Sequence, residues 1–358
     1  MEEPAFQRWI PVAKQVVQRT LGLHWKDVLE IYSYIPTIPL AEALALEARR
    51  AGSDTHITLM TDDLWFTSMK ELPTRWLRAP SPVESAIGGV ISANVYLGGP
   101  ADARRMRDIP PEKFEANSVG GTKQDEPRRR RRVREVDLSI GRLTPERAEA
   151  YGLDYARWRA SYEAALAVDL LDIQRAGRAL ARSLSGRKKV RVTSDNGTDL
   201  TFKTKPIPPV VSDGIIDAAD VRRGFVETSL PAGRVEAAID PASVEGVVHS
   251  TDPIFAMGRT IRGHWYEVHR GKIVASGASE NEALLDHLRA SSKASAAHVG
   301  WFTVGLNPAA EPVMLDNSIV KDDVGIGLGP HLQLERKAAD PSVSFYSTLG
   351  IATLEIGK

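Results

Sequence analysis

Two stretches of this sequence place reactive side chains two residues apart, the spacing at which neighbours on a β-strand share one face. In RVEAAI, Arg234 and Glu236 set a guanidinium beside a carboxylate; in SFYSTLG, Ser344 and Tyr346 set a hydroxyl beside a phenol. A guanidinium can clamp a substrate carboxylate through paired hydrogen bonds, and a carboxylate or phenol can serve as general base or acid. The same arginine and glutamate can equally close on each other as an ion pair. Between these stretches runs HVGWFTVGLNPAAEPVMLDNSIVKDDVGIGLG, His298 to Gly329, with short apolar runs punctuated by Asn307-Pro308 and several glycines. His298 at its head is either an acid–base group or a strand histidine held by a hydrogen bond.

The other reactive residue types form weaker patterns. His249, His264, His269, His287 and His331 make no HExxH spacing, although His264 and His269 lie in a Gly-Trp-Tyr-rich hairpin that could border a cavity. Asp62 and Asp63 follow a strand at the end where open α/β sheets bind ligands; such a pair also serves as a helix cap. No GxGxxG follows a strand, and neither a GxSxG elbow nor a P-loop occurs. The 358 residues contain no cysteine, which excludes disulfides, thiolate nucleophiles and Cys-ligated zinc. Net charge is zero, so no global field draws nucleic acid or an anionic membrane. Arg128 to Arg132 lacks interleaved aromatic residues and reads as a solvated run, with the rim of an anion site or subunit contact as the alternative. The N-terminus, MEEPAFQRW, has no apolar signal core, and no apolar run reaches membrane-spanning length. The expectation is a soluble cytoplasmic protein.

These residues need elements to position them. Residues 1–25 have a helical apolar face, Val28 to Ile35 reads as a buried strand, and Leu40 to Arg50 as a helix capped at Gly52. His56 to Met60 and Val90 to Leu97 are further strands, so strand and helix alternate as in a doubly wound α/β domain. Residues 1–122 form that domain in this reading, 123–134 a basic linker, and 135–358 a strand-rich, mostly antiparallel domain. The latter opens with one helix from Asp154 to Gly186, followed by a hairpin across Asn196-Gly197. Short strands then continue to the end, interrupted by a helix from Ser279 to Leu288.

The order of landmarks resembles the thermophilic aminopeptidase T/S family. They are the first strand and PLAEAL, then GLDYARW, AVDLLDI, GTDLTF, LPAGRV, GKIVASGASENEALLDHL, GLNP and LEIGK, spanning nearly the whole chain. The resemblance implies an N-terminal α/β domain, a strand-rich second domain and a dinuclear metal centre that activates water. Its ligand positions, however, carry other residues here: Arg234 for a glutamate, Thr303 for another, Gly325 for a histidine, Leu332 beside His331 for a tyrosine, and Ser344 and Tyr346 for an HxD pair. A guanidinium stays protonated at biological pH and cannot coordinate metal. Locally, His298-Val299-Gly300-Trp301 resembles an iron ligand of ring-cleaving dihydroxypyridine dioxygenases, whose HxD is again absent.

The resemblance therefore implies a cavity in which Glu236, His298 and Tyr346 are the candidate catalytic groups and Arg234, Thr303 and Ser344 the substrate-binding ones. No cofactor is expected. The alternative is a single divalent metal held through His298, Glu236, Asp316 or Asp322, as in an aminopeptidase or dioxygenase with unconventional ligands. The expected activity is acid–base chemistry on a small carboxylate- or peptide-like substrate, by hydrolysis, cyclisation or elimination; a non-catalytic binding or partner subunit is the second expectation. Family resemblance further implies a homodimer, with neither nucleic acid nor membrane as partner.

Overall fold

The computed structural model describes residues 4–291, 298–329, 334 and 345–357. The chain divides into two units, Met1–Tyr155 with Gly214–Leu230, and Ala156–Asp213 with Pro231–Lys358. In the first, helical turns over residues 7–20 bury Ala13, Val16 and Val17 and end short of the expected residue 25. β1 (Val28–Tyr34) follows, then the helix Ile38–Arg50, with Gly52 at φ +86° where a side chain would be strained. β2 (Asp54–Met60), β3 (Ala93–Tyr96) and β4 (Arg134–Asp137) come next.

The stretch expected to be a basic linker, 123–134, is instead the end of the helix Pro111–Gln124, the helix Glu126–Arg131 and the start of β4, all inside the first unit. Arg128 turns inward onto Glu30, Glu84 and Asp125, while Glu126 holds Arg129 and Arg130. A run of like charge is solvated only when no counter-charge folds back on it. Here several do.

The chain then builds a hairpin, β5 (Lys189–Thr193) with β6 (Asp199–Lys203), and β7 (Val210–Ser212) in the second unit. It returns to the first unit for β8 (Glu227–Ser229). That unit's sheet has the order β2-β1-β3-β4-β8 and is parallel throughout.

The expected single helix 154–186 is two, Tyr155–Leu166 and Leu170–Leu184. Asp169 breaks it, because its carboxylate accepts the Leu171 amide at 2.9 Å and caps a new start. Next come β9 (Arg234–Ala238), β10 (Glu245–His249), β11 (Ile254–Ala256), β12 (Arg259–Ile261), β13 (Trp265–His269) and β14 (Lys272–Gly277). The helix Glu282–Ser291 starts later than expected; Asn281, at φ +56°, precedes it. β15 (Val299–Gly305), β16 (Asp323–Leu328), β17 (Phe345–Ile351) and β18 (Thr353–Ile356) complete the unit.

Two large antiparallel sheets result, β14-β13-β10-β6-β5-β18 and β17-β16-β15-β9-β7, beside a two-stranded β11-β12 ribbon. Val190, Phe202, Val248 and Tyr266 of the first pack with Val235, Phe302, Val304 and Ile326 of the second in one apolar core. The rings of Phe202 and Phe302 sit 4.9 Å apart. Strand side chains alternate between faces, so this core sends the intervening residues of β9, β15 and β16 to the opposite face. Among the described residues no helix is long and apolar enough to cross a membrane.

Candidate functional site

On that opposite face the strand register aligns Thr303 with Glu236 and with Gly325, and Gly327 with Tyr346. Arg234 Nε donates to Glu236 Oε1 at 2.8 Å and Nη1 to Ser318 Oγ at 3.1 Å, with Asp316 3.6 Å away. The Thr303 and Tyr346 hydroxyls are 2.9 Å apart. Four of the six expected site residues, Arg234, Glu236, Thr303 and Tyr346, are thus brought together.

The other two are not. Ser344 lies outside the described residues, as do His331 and Leu332. His298 bridges Lys272 at the head of β15, and its carbonyl accepts the Gly329 amide; no hydrogen bond or ion pair ties its side chain to the other four. Of the further histidines, His264 bonds Ser347 at 2.9 Å, the neighbour of Tyr346 that points to the core. Burial lowers that imidazole to about 4, so it is neutral and remote from the face. His269 pairs with Glu245 on the surface.

Glycine explains how the phenol fits. A Cβ at Gly325 would lie 2.0 Å from the Tyr346 oxygen, and one at Gly327 would strike the Trp301 ring. The two small residues of VGIGLG therefore make the bed on which Tyr346 and Trp301 stack, with ring centres 5.6 Å apart and planes inclined by 15°. The space above Gly325, where the resemblance implied a histidine, is filled by a phenol.

Residues between β15 and β16 cover the Arg234 side. Asn307 donates to the carbonyls of Ala165 and Ala232, and Asn317 to Asp252 at 2.9 Å, which fixes this segment and sets Asp316 and Ser318 beside the guanidinium. Asp252 also receives the Thr348 hydroxyl at 2.8 Å. The Arg234 side chain is 23% exposed and Asp316 61%, whereas Glu236 is at 3%. The arginine marks the open side and the glutamate the interior.

The electrostatics follow. Burial alone would lower the Arg234 guanidinium, but the Glu236 and Asp316 carboxylates and the hydrogen bond it donates to Glu236 outweigh it and raise it further. Burial, with Asp316 and Asp323 nearby, lifts the Tyr346 phenol well above its ordinary value, so it holds its proton. Asp323, not anticipated from the sequence, is 1% exposed, and neither carboxyl oxygen has a hydrogen-bond partner among the described residues. Burial, then Asp252 and Asp316, push it up to about 9, so at neutral pH it is a carboxylic acid. It stands two residues before Gly325, on the same strand face, which becomes a signal once the strand is known to begin there. The expected Asp62–Asp63 pair proves structural: Asp62 accepts the amides of Ala101 and Asp102, and Asp63 pairs with Arg105.

A separate groove of about 690 Å³ on the other sheet includes Lys189, Arg191, Asp199 and Glu245. Arg191 and Asp199 neutralise each other at 2.8 Å there, which is the behaviour of a solvated strand face.

The model of the thermophilic metalloprotease (M29) family matches residues 172–314. No curated protein matches the chain. Among solved structures, wild-type AmpT from Thermus thermophilus is similar at TM-score 0.70 and 17% identity, over 98% of this chain and 95% of that one. The 2,5-dihydroxypyridine dioxygenase from Pseudomonas putida KT2440 is similar at TM-score 0.59 and 11% identity, over 98% and 93%. The chain has the AmpT fold and, over residues 172–314, resembles the thermophilic metalloprotease (M29) family.

Proposed function

We propose that the outer face of β9, β15, β16 and β17 is the active centre of a repurposed enzyme of this scaffold. It acts by metal-independent acid–base chemistry on a small carboxylate-bearing or peptide-like molecule, through hydrolysis, cyclisation or elimination. The observation that carries this reading is the replacement of ligand positions by an interacting polar set, Arg234–Glu236 at 2.8 Å and Thr303–Tyr346 at 2.9 Å, rather than by apolar filling. A dinuclear centre needs several carboxylate or imidazole donors around one point. Here a fixed cation and a phenol occupy that region, and among the described residues no three His, Asp or Glu are placed to hold an ion. The residues present do not fit the metals.

In this reading a substrate carboxylate enters beside the partly exposed Arg234 and takes up its guanidinium. Glu236, released from that contact, accepts a proton from the nucleophile or from carbon. The Tyr346 phenol, oriented by Thr303, donates a hydrogen bond to the oxygen on which negative charge develops. His298 and Ser344 enter as further acid–base and binding groups, and the homodimer belongs to the same proposal. The test is product formation, read by mass spectrometry, from dipeptides, N-acyl amino acids and short esters with chelator-treated protein. Turnover that survives chelation and disappears in Glu236→Gln is expected; turnover that appears only on adding a divalent metal would sink the reading. A second reading, binding without turnover, is favoured by the burial of Glu236 against Arg234. It predicts saturable binding of a panel member with no product.

A further inference from the structure

The first unit holds, at Arg142 and Arg147, withdrawn guanidinium groups with no carboxylate within ion-pair distance among the described residues. Its sheet runs β2-β1-β3-β4-β8, so the chain order reverses between β1 and β3. In open parallel sheets a crevice forms beyond the strand carboxyl ends at such a reversal. The segment 97–101 leaves β3 there, and residues 138–147 leave β4 beside it. Arg142 lies with its guanidinium 5.6 Å from the centre of the Tyr96 ring. Arg147 donates to the carbonyl of Pro100, is 5% exposed, and its Nε has no partner.

Neither arginine reaches a carboxylate within ion-pair distance among the described residues, although other buried arginines of this chain do. Arg128 has three such partners, and Arg134 has Asp27 at 2.5 Å. The neighbouring acids, Asp137 for Arg142 and Asp62 for Arg147, attract them from beyond ion-pair distance and spend their hydrogen bonds on other groups. Asp62 accepts the amides of Ala101 and Asp102 at 3.0 to 3.2 Å, and Asp137 accepts the Ser139 hydroxyl. Tyr34 (3% exposed) and Tyr96, whose hydroxyl donates to the Gly99 carbonyl at 3.3 Å, supply phenols and aromatic walls. Withdrawing a guanidinium from water without an anion is costly. Arg142, only partly buried, leaves a way in.

We propose that this crevice binds a small anion, the carboxylate or phosphate group of a soluble molecule, between Arg142 and Arg147. The site stands in the first unit and is independent of the chemistry proposed for the second. Inorganic phosphate and malonate serve as probes on the full-length protein, against sodium chloride at matched ionic strength. A saturable rise in melting temperature with at least one probe is expected, weakened roughly tenfold or more in Arg142→Gln. Phenylglyoxal labelling, mapped by peptide mass spectrometry, gives a second readout that needs no variant. Arg142 should be modified in the free protein and protected by the same probe, and peptide mapping keeps it distinct from Arg234. Phosphate alone, malonate alone or both acting at Arg142 would assign the anion class. No protection of Arg142 by either probe, or a melting shift unchanged in Arg142→Gln, would overturn the proposal.

Discussion

Arg128 and Arg234 are both drawn out of water, one in each unit, and they are surrounded differently. Arg128 is held by Glu30 at 2.7 Å, Glu84 at 3.2 Å and Asp125 at 3.2 Å, and the same Glu30 accepts Asn94 and Thr58. Every oxygen of the fully buried Glu30 is used. Arg234 has one close carboxylate, a second at 3.6 Å and a serine, and nearby lies Asp323 with both oxygens unpartnered. The first arrangement uses both oxygens of its buried carboxylate and leaves only the Arg128 Nε without a partner among the described residues. The second leaves both oxygens of a buried carboxyl without a partner among the described residues, a capacity that a bound molecule could use.

The largest effect that tests this contrast is the loss of Arg128. Arg128→Met leaves Glu30 as an uncompensated buried charge and should cost about 3–5 kcal/mol of stability. Replacing both members of the second pair, in Arg234→Met with Glu236→Met, removes the charges together and should cost far less, within about 1 kcal/mol of neutral. Urea denaturation of the two variants gives the comparison. Equal losses would mean that Arg234 is as structural as Arg128.

A smaller and pH-dependent effect belongs to Asp323. An acid whose folded pKa is raised holds its proton more tightly when folded than when unfolded. Stability is therefore complete below the ordinary carboxylate range and is lost as pH rises toward about 9. The slope contributed by one such group approaches 1.4 kcal/mol per pH unit at most, roughly, between those limits. Asp323→Asn, neutral at every pH, should flatten that part of the profile and be the more stable form at pH 8. Parallel wild-type and variant profiles from pH 5 to 9 would show that Asp323 is not buried as an acid, and the contrast with Glu30 would lose its best example.

How much of this was legible from the sequence differs between the same two regions. Around Arg234 the strand spacing placed Arg234 with Glu236, and the landmarks brought Thr303 and Tyr346 to them, because pleat and register are local and ordered properties. Asp323 was passed over although it shares the face of Gly325, since KDD reads as a polar turn until the strand is known to begin at Asp323. Around Arg128 the reading as a linker failed for a different reason. Its partners, Glu30 and Glu84, are 98 and 44 residues away in sequence, and charge patterning senses only near neighbours. The helix break at Asp169 was missed because an apolar stripe of helical period continued across it, and only the cap revealed the interruption.

The smallest stability effect carries the finest test. Tyr346→Phe keeps the ring on Gly325 and against Trp301 and removes only the hydroxyl bonded to Thr303. Loss of one such bond should cost about 1 kcal/mol, whereas loss of a donor aimed at developing charge should lower turnover by about 100-fold. Gly325→Ala acts in the opposite sense: its Cβ would displace the phenol itself, for about 1–3 kcal/mol of overpacking. If the phenol donates to a reacting oxygen, both variants lose turnover while only the alanine loses substantial stability. If Tyr346 merely fills the space above Gly325, Tyr346→Phe keeps its activity, and the outer face of this sheet is as much a piece of structure as the arginine network of the first unit.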